Sequence, residues 1–190
     1  MHRTLTDNSG CVYRIDSKDR IVHVGGQWQG FAEENGAPHL EASRVVGTSL
    51  WSFVAGEDVR RLYMELFRTL RSERRVLIVP FNCDSPTVVR HMTLKMQSLS
   101  GGDIELEGRL TSTRERPPVH LLDCERRRAE RHIPICSFCR RVPDREEWLA
   151  LESAVVRKRL LAGDQAPALK ETVCPECEAV ADSIRRPPPR

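Results

Sequence analysis

The chain has 190 residues, 39% of them hydrophobic and 30% charged, with a formal net charge of +3. That is enough apolar material for one large domain, or for a domain of about 100–120 residues with a small module attached. No apolar run approaches the ~18 residues of a membrane-spanning helix. The basic excess is only +1 up to Arg116 and +2 beyond it, too little for a dedicated nucleic-acid binder.

The opening Met1-His2-Arg3-Thr4 begins no hydrophobic signal region, so a soluble, cytoplasmic protein is expected, with no membrane partner. Seven cysteines in a reducing compartment then point to metal or redox roles rather than to a disulfide framework. Residues 11–24 read as a hairpin, Cys11 to Ile15 and Ile21 to Val24 around a polar turn, with Gly25-Gly26 breaking the second strand. Trp28, Phe31 and Ala32 share one face of a short helix that plants its aromatics in the core, and Asn35-Gly36-Ala37-Pro38 is a loop. The clearest helix runs from Glu57 to about Arg71, with Val59, Leu62, Tyr63, Leu66, Phe67 and Leu70 as its apolar stripe. Three strands follow: Arg75 to Asn82, Val88 to Leu99, and Asp103 to Leu110. The last places Ile104, Leu106 and Leu110 together, and Gly101-Gly102 turns the chain before it.

Two strands, short helices, a long helix and three antiparallel strands make an α+β domain: a five-stranded sheet with helices on one side. The pattern over residues 10–116 resembles a PAS domain, the sensory module of bacterial signalling proteins. Local matches are Trp28 and Phe31 after the second strand, Val46-Gly47-Thr48-Ser49-Leu50-Trp51 before the long helix, and Pro80-Phe81-Asn82-Cys83-Asp84-Ser85-Pro86 between strands. Asn82 stands where such sequences usually carry an arginine. The resemblance implies a pocket between sheet and helices, homodimerisation, and a downstream signalling partner.

Arg90, with Met92 and Trp28, is the candidate lining of that pocket. Arg90 shares strand parity with Met92, Leu94 and Met96, and a buried guanidinium needs a partner. Asp84 is one candidate; a bound carboxylate or phosphate is the other. The resemblance's known cofactors find no support: Asn82-Cys83-Asp84 is misplaced for a flavin motif, and the long helix has no histidine for haem. His23 and His91 read as ordinary strand residues, and His39 falls in a loop.

Pro117-Pro118 closes the domain. Leu122, Arg126, Ala129 and Ile133 then recur at helical spacing, so residues 117–133 read as a charged linker helix stopped by Pro134, either a transmitter or a solvated spacer. Beyond it stand two matched pairs, Cys136-Ser-Phe-Cys139 and Cys174-Pro-Glu-Cys177. Each Cys-x-x-Cys knuckle lets two thiolates reach one ion, and two knuckles complete the tetrahedral sulfur set that Zn²⁺ accepts. Four protein ligands leave no open position, so the expected zinc is structural and not catalytic.

Between the knuckles lie 34 residues, more than the about 15–20 of a compact zinc ribbon, so a helix from about Arg145 to Leu161 and a returning loop are expected to fill the gap. Pro175 suits the first turn of a last helix reaching about Ile184; residues 134–185 thus form the metal module, and 186–190 a disordered tail. Arg140, Arg141 and Lys170 are near enough in sequence to offset the site's negative charge. Cys136 to Val142, Trp148 and the second knuckle resemble a cysteine-rich tail found on PAS or receiver domains. That tail usually has Ser-His-Gly where Lys170-Glu171-Thr172 stands here.

Hydrolase, zincin, phosphate-loop and dinucleotide motifs are absent, so a non-catalytic protein is expected, with Cys11, Cys83 and Cys124 as packing or surface residues. Two other functions stay open. One is a zinc-dependent nucleic-acid-binding regulator with Arg140, Arg141, Arg157, Lys158 and Arg159 as its contact face. The other is a thiol-redox sensor that releases zinc on oxidation.

Overall fold

The computed structural model describes residues 10–34, 40–163 and 165–186, without the side chains of Phe31 and Glu34. The loop expected at 35–38, His39, the N-terminal nine residues and the tail from 187 lie outside the described residues.

β1 (Cys11–Ile15) and β2 (Ile21–Gly26) form the hairpin, whose turn is closed by Asp16 Oδ1 accepting from the backbone N–H groups of Lys18 at 2.8 Å and Arg20 at 2.9 Å. Gly25 and Gly26 do not break β2: they pair with Val12 and Cys11. Two short helices follow, α1 (Trp28–Glu34) and α2 (Ala42–Val45), then the long α3 (Glu57–Glu73). β3 (Val76–Asn82), β4 (Val88–Ser98) and β5 (Ile104–Glu115) complete an antiparallel sheet of order β2-β1-β5-β4-β3.

Helical and strand periodicities meet in one core. Leu62, Leu66, Phe67 and Leu70 of α3 cluster with Leu77, Val79, Leu94, Met96, Ile104 and Leu106 of the sheet, at 0–7% exposure. Leu110 does not join Ile104 and Leu106; it is 42% exposed. The reason lies in the register. β1 covers β5 only as far as the Cys11–Gly108 pair, and the β4–β5 register steps between His91 and Met92.

The expected linker helix over 117–133 does not form. A 3-10 turn at His120–Leu122 is followed by β6 (Arg128–Cys136), which pairs in parallel with β9 (Ala166–Thr172), where a loop was expected. Along β6 the buried Ile133 and Ile135 alternate with exposed His132 and Pro134, and this two-residue period overrides the helical reading. The expected helix from Arg145 to Leu161 is also shorter. β7 (Val142–Asp144) and β8 (Glu147–Leu149) make a tight hairpin, leaving α4 (Leu151–Arg157). Val119, Leu121, Ile133, Ile135, Val142, Leu151, Ala154, Leu160 and Ala166 form a second core there.

α5 (Pro175–Arg185) matches the expected last helix, but it packs on α3 and β3, with Ala181 in the first core. Arg185 pairs with Glu65 at 2.5 Å. At the C-terminus of α5, Arg75 donates to the carbonyls of Ile184 at 3.1 Å, Arg186 at 2.9 Å, and Arg185, capping groups the helix leaves unpaired. The N-terminus of α3 meets β9 closely. Gly56 has φ +82°, and a Cβ there would stand 2.3 Å from the Glu171 carbonyl oxygen, so only glycine fits.

The second core is tied to the sheet by a buried guanidinium, but it is not that of Arg90. Arg116, its side chain 1% exposed, reaches Asp84 at 3.2 Å, Glu152 of α4 at 3.0 Å and the Ser85 carbonyl at 2.7 Å. Arg90 gives Asp84 only a backbone N–H, at 3.2 Å. Removing Arg116 strands a buried carboxylate, so Arg116→Ala is expected to cost about 3 kcal/mol in urea unfolding. The paired change Arg116→Met with Asp84→Asn keeps the Arg90 N–H bond and is expected to cost less than the single one.

Candidate metal centre

Cys136, Cys139, Cys174 and Cys177 come together with all four Sγ atoms within 4.8 Å of one another. Cys136 closes β6 and sits fully buried beside Phe138, which is 5% exposed. The first knuckle then turns back: Arg140 takes φ +60°, its N–H donates to the Cys136 carbonyl at 2.9 Å, and Cys136 N–H donates to Arg141 at 2.9 Å. Two neighbours fix its position. Ser137 N–H donates to the Thr172 carbonyl at 2.9 Å, and Asn82 N–H at the end of β3 donates to the Phe138 carbonyl at 2.6 Å. Phe138 lies against Tyr63 of α3, ring centres 6.1 Å apart.

The second knuckle is the start of α5. Cys174 is the N-cap and its Sγ accepts from Cys177 N–H at 3.4 Å; Pro175 takes the first helical position, where its missing N–H costs nothing. Cys174 N–H in turn donates to Cys136 Sγ at 3.4 Å. These sulfurs therefore sit where the helix end is positive and its amides lack intrahelical partners.

The spacing is that of an ion cage. A disulfide would need about 2.05 Å between sulfurs, whereas Cys139 and Cys174 stand 3.6 Å apart. Four sulfurs at ~2.3 Å from a central ion in tetrahedral array are about 3.8 Å from one another, so the cluster fits a four-sulfur set. Left to themselves, these thiols divide their protons unevenly. Hydrogen bonds from Cys139 and then Cys177 hold the Cys136 thiol far below its ordinary range. Bonding to the Cys136 sulfur pushes Cys139 up to about 12 and Cys177 upward as well. A divalent cation relieves that competition by drawing all four to thiolates.

The neighbouring arginines are already engaged. Arg140 pairs with Glu171 at 3.1 Å and Arg141 with Glu176, while Lys170 points outward, exposed. Backbone amides donate to the sulfurs instead: those of Cys174 and Cys177 at the helix N-terminus, and those of Cys139 and Arg141 in the first knuckle. Cys11, Cys83 and Cys124 stand outside the cluster; burial pushes the Cys83 thiol up.

The other sequence-derived candidates do not converge with this centre. Trp28 lies edge-on to Tyr13 at 5.8 Å, and its Nε1 donates to the Leu40 carbonyl at 2.7 Å. Met92 is buried, and Arg90, half-buried, donates to the Cys83 carbonyl at 3.3 Å. None of the three lines either of two surface concavities, both on α3. Sequence reasoning missed Arg116, Arg75 and Gly56, whose roles depend on partners far along the chain; one arginine among so many carries no local mark.

No family model matches the chain, and no curated protein matches it. Fold and site thus define an α+β protein with a five-stranded antiparallel sheet and a four-cysteine group within metal-binding distance.

Cys174→Ser separates metal binding from capping, because serine caps a helix as well as the thiolate does. The variant is expected to lose stoichiometric metal, measured by elemental analysis, and to lose several kcal/mol of stability. In the parent protein, protons compete for the thiolates, so metal is expected to be held at about pH 8 and released toward about pH 5, read with a chromogenic chelator.

Proposed function

We propose that this is a non-catalytic PAS-type sensory or protein-interaction protein whose four-cysteine centre holds one structural Zn²⁺. The observation that carries the metal part is the convergence of four sulfurs within 4.8 Å of one another. Such a donor set suits a soft or borderline ion, and closed four-sulfur sites are the common structural zinc type. Binding of this kind supplies on the order of 10–16 kcal/mol of apparent free energy, enough to hold the knuckles on the sheet domain.

The sensory part rests on architecture: an antiparallel five-stranded sheet packed against one long helix and two short ones, preceding a cysteine module. Signal passes by direct packing rather than through a linker helix. A change in the α3–β3 core reaches the metal centre through Phe138 against Tyr63, the Asn82–Phe138 bond, and Thr172 Oγ1 donating to Asp58 Oδ2 at 2.8 Å. A cytoplasmic homodimer completes this reading as a proposal. Among the described residues no helix is long and apolar enough to cross a membrane.

The nucleic-acid reading loses its contact face to carboxylates. Arg140 and Arg141 are paired as above, Arg157 with Asp144 at 2.9 Å and Glu147 at 2.5 Å, and Lys158 with Asp144 at 3.1 Å. Of the five, only Arg159 has no such pairing among the described residues. A phosphate backbone gains little from charges already neutralised.

Native mass spectrometry of freshly purified, reduced protein is expected to show one zinc per chain and a dimer. Metal-free protein from chelator-free buffer sinks the zinc assignment. Binding to duplex DNA is expected to be absent even at low salt; a steep salt-dependent affinity would replace the sensory reading with the nucleic-acid one.

A further inference from the structure

α3 buries one side in the core and leaves the other without a partner element over part of its length. Two open concavities lie along that outer side, of about 520 Å³ and 280 Å³, and they share Met64 and Arg68 as lining residues. Together they make one groove running from Glu57 to Ser72, about 22 Å of helix. Arg60, Met64 and Arg68 recur every four residues and so form its axial stripe.

Three properties of the stripe point to an occupant. Met64 is 53% exposed, an adaptable apolar side chain standing in solvent midway along a charged helix. Arg68 is exposed and has no hydrogen bond or ion pair among the described residues. Arg60 donates to the carbonyls of Val54 at 2.8 Å and Trp51 at 2.9 Å, so its position is held while its charge pairs with no carboxylate among the described residues. The surface thus reads as positive, apolar, positive, with the two arginines about 12 Å apart along the helix axis.

A second copy of the chain does not fit this pattern. Two α3 helices related by a two-fold axis at Met64 would bring Arg60 of one copy against Arg68 of the other, like charge on like. A uniform polyanion fits poorly too, because Glu57 lines one end of the groove and Asp19 the other. The complement is a short segment with carboxylates two turns apart and an apolar residue between them.

We propose that this face of α3 is the docking surface for an acidic, amphipathic peptide segment of a partner protein, with its apolar residue on Met64 and its carboxylates on Arg60 and Arg68. Arg60, Met64 and Arg68 are not part of the four-cysteine cluster, so docking on them stands whether or not the sensory assignment does.

The test is selection of a random 16-residue peptide library, displayed on phage, against the purified full chain. Recovered sequences are expected to carry Asp or Glu on both sides of a Leu, Ile, Phe or Met. A synthetic copy of a recovered peptide is expected to bind Arg68→Glu and Met64→Glu at least tenfold more weakly, by fluorescence anisotropy. Replacing one of its carboxylates by lysine is expected to restore binding to Arg68→Glu. Both side chains are exposed, so circular dichroism melts of the two variants are expected to match the parent. The proposal is overturned if recovered peptides are not acidic, if none is recovered, or if both variants bind as tightly as the parent. It is equally overturned if duplex DNA or phosphatidylserine vesicles bind more tightly than the peptide and with the same sensitivity to Arg68→Glu.

Discussion

The contact between the start of α5 and the end of β6 is the constraint on which the C-terminal third depends. Two segments 34 residues apart meet there, and what meets is sulfur, a group with little affinity for itself until an ion or a disulfide joins it. The protein prepares this meeting from outside the cluster. Parallel pairing of β6 with β9 sets the level of Cys136 beside Thr172, and Cys174 follows two residues later. The Ser137–Thr172 bond then holds the first knuckle against the strand that leads to the second.

From that junction the helix is pinned at both ends. Its N-terminus carries the sulfur cluster, and its C-terminal carbonyls are capped by Arg75 at the foot of β3. Ala181 between them lies in the sheet core, so α5 belongs to the first domain by packing and to the four-cysteine cluster through Cys174 and Cys177. The sheet and the four-cysteine cluster thus share one helix, with no separate linker helix between them among the described residues.

Guanidinium groups do much of the remaining joining. Arg116 links the Asp84 loop to α4, Arg71 links α3 to the first hairpin through Asp19 at 2.7 Å, and Arg128 donates to the carbonyls of Leu121 and Asp123. Each spans two elements with planar donors that backbone or carboxylate oxygens accept from several directions. The small net charge itself reflects the near balance of 30 basic against 27 acidic residues.

The sheet domain and the ligand set were legible in the chain because both depend on short-range patterns. The i, i+3, i+7 stripe of Val59, Leu62 and Leu66 identifies α3, alternation through Met92, Leu94 and Met96 identifies β4, and Cys-x-x-Cys spacing names the four clustered cysteines. The segment from 117 to 161 misled for the opposite reason. Leu122, Arg126, Ala129 and Ile133 fit a helical stripe, while the strand that claims Ile133 and Ile135 lies more than 30 residues ahead in β9. Parity placed Arg90 inward, but the register step beside Met92 and the length of β5 handed the buried charge to Arg116. Local periodicity is written in neighbouring residues and survives without the fold. Which strand pairs with which, and which of many arginines ends up desolvated, is decided only when distant segments compete for the same surface.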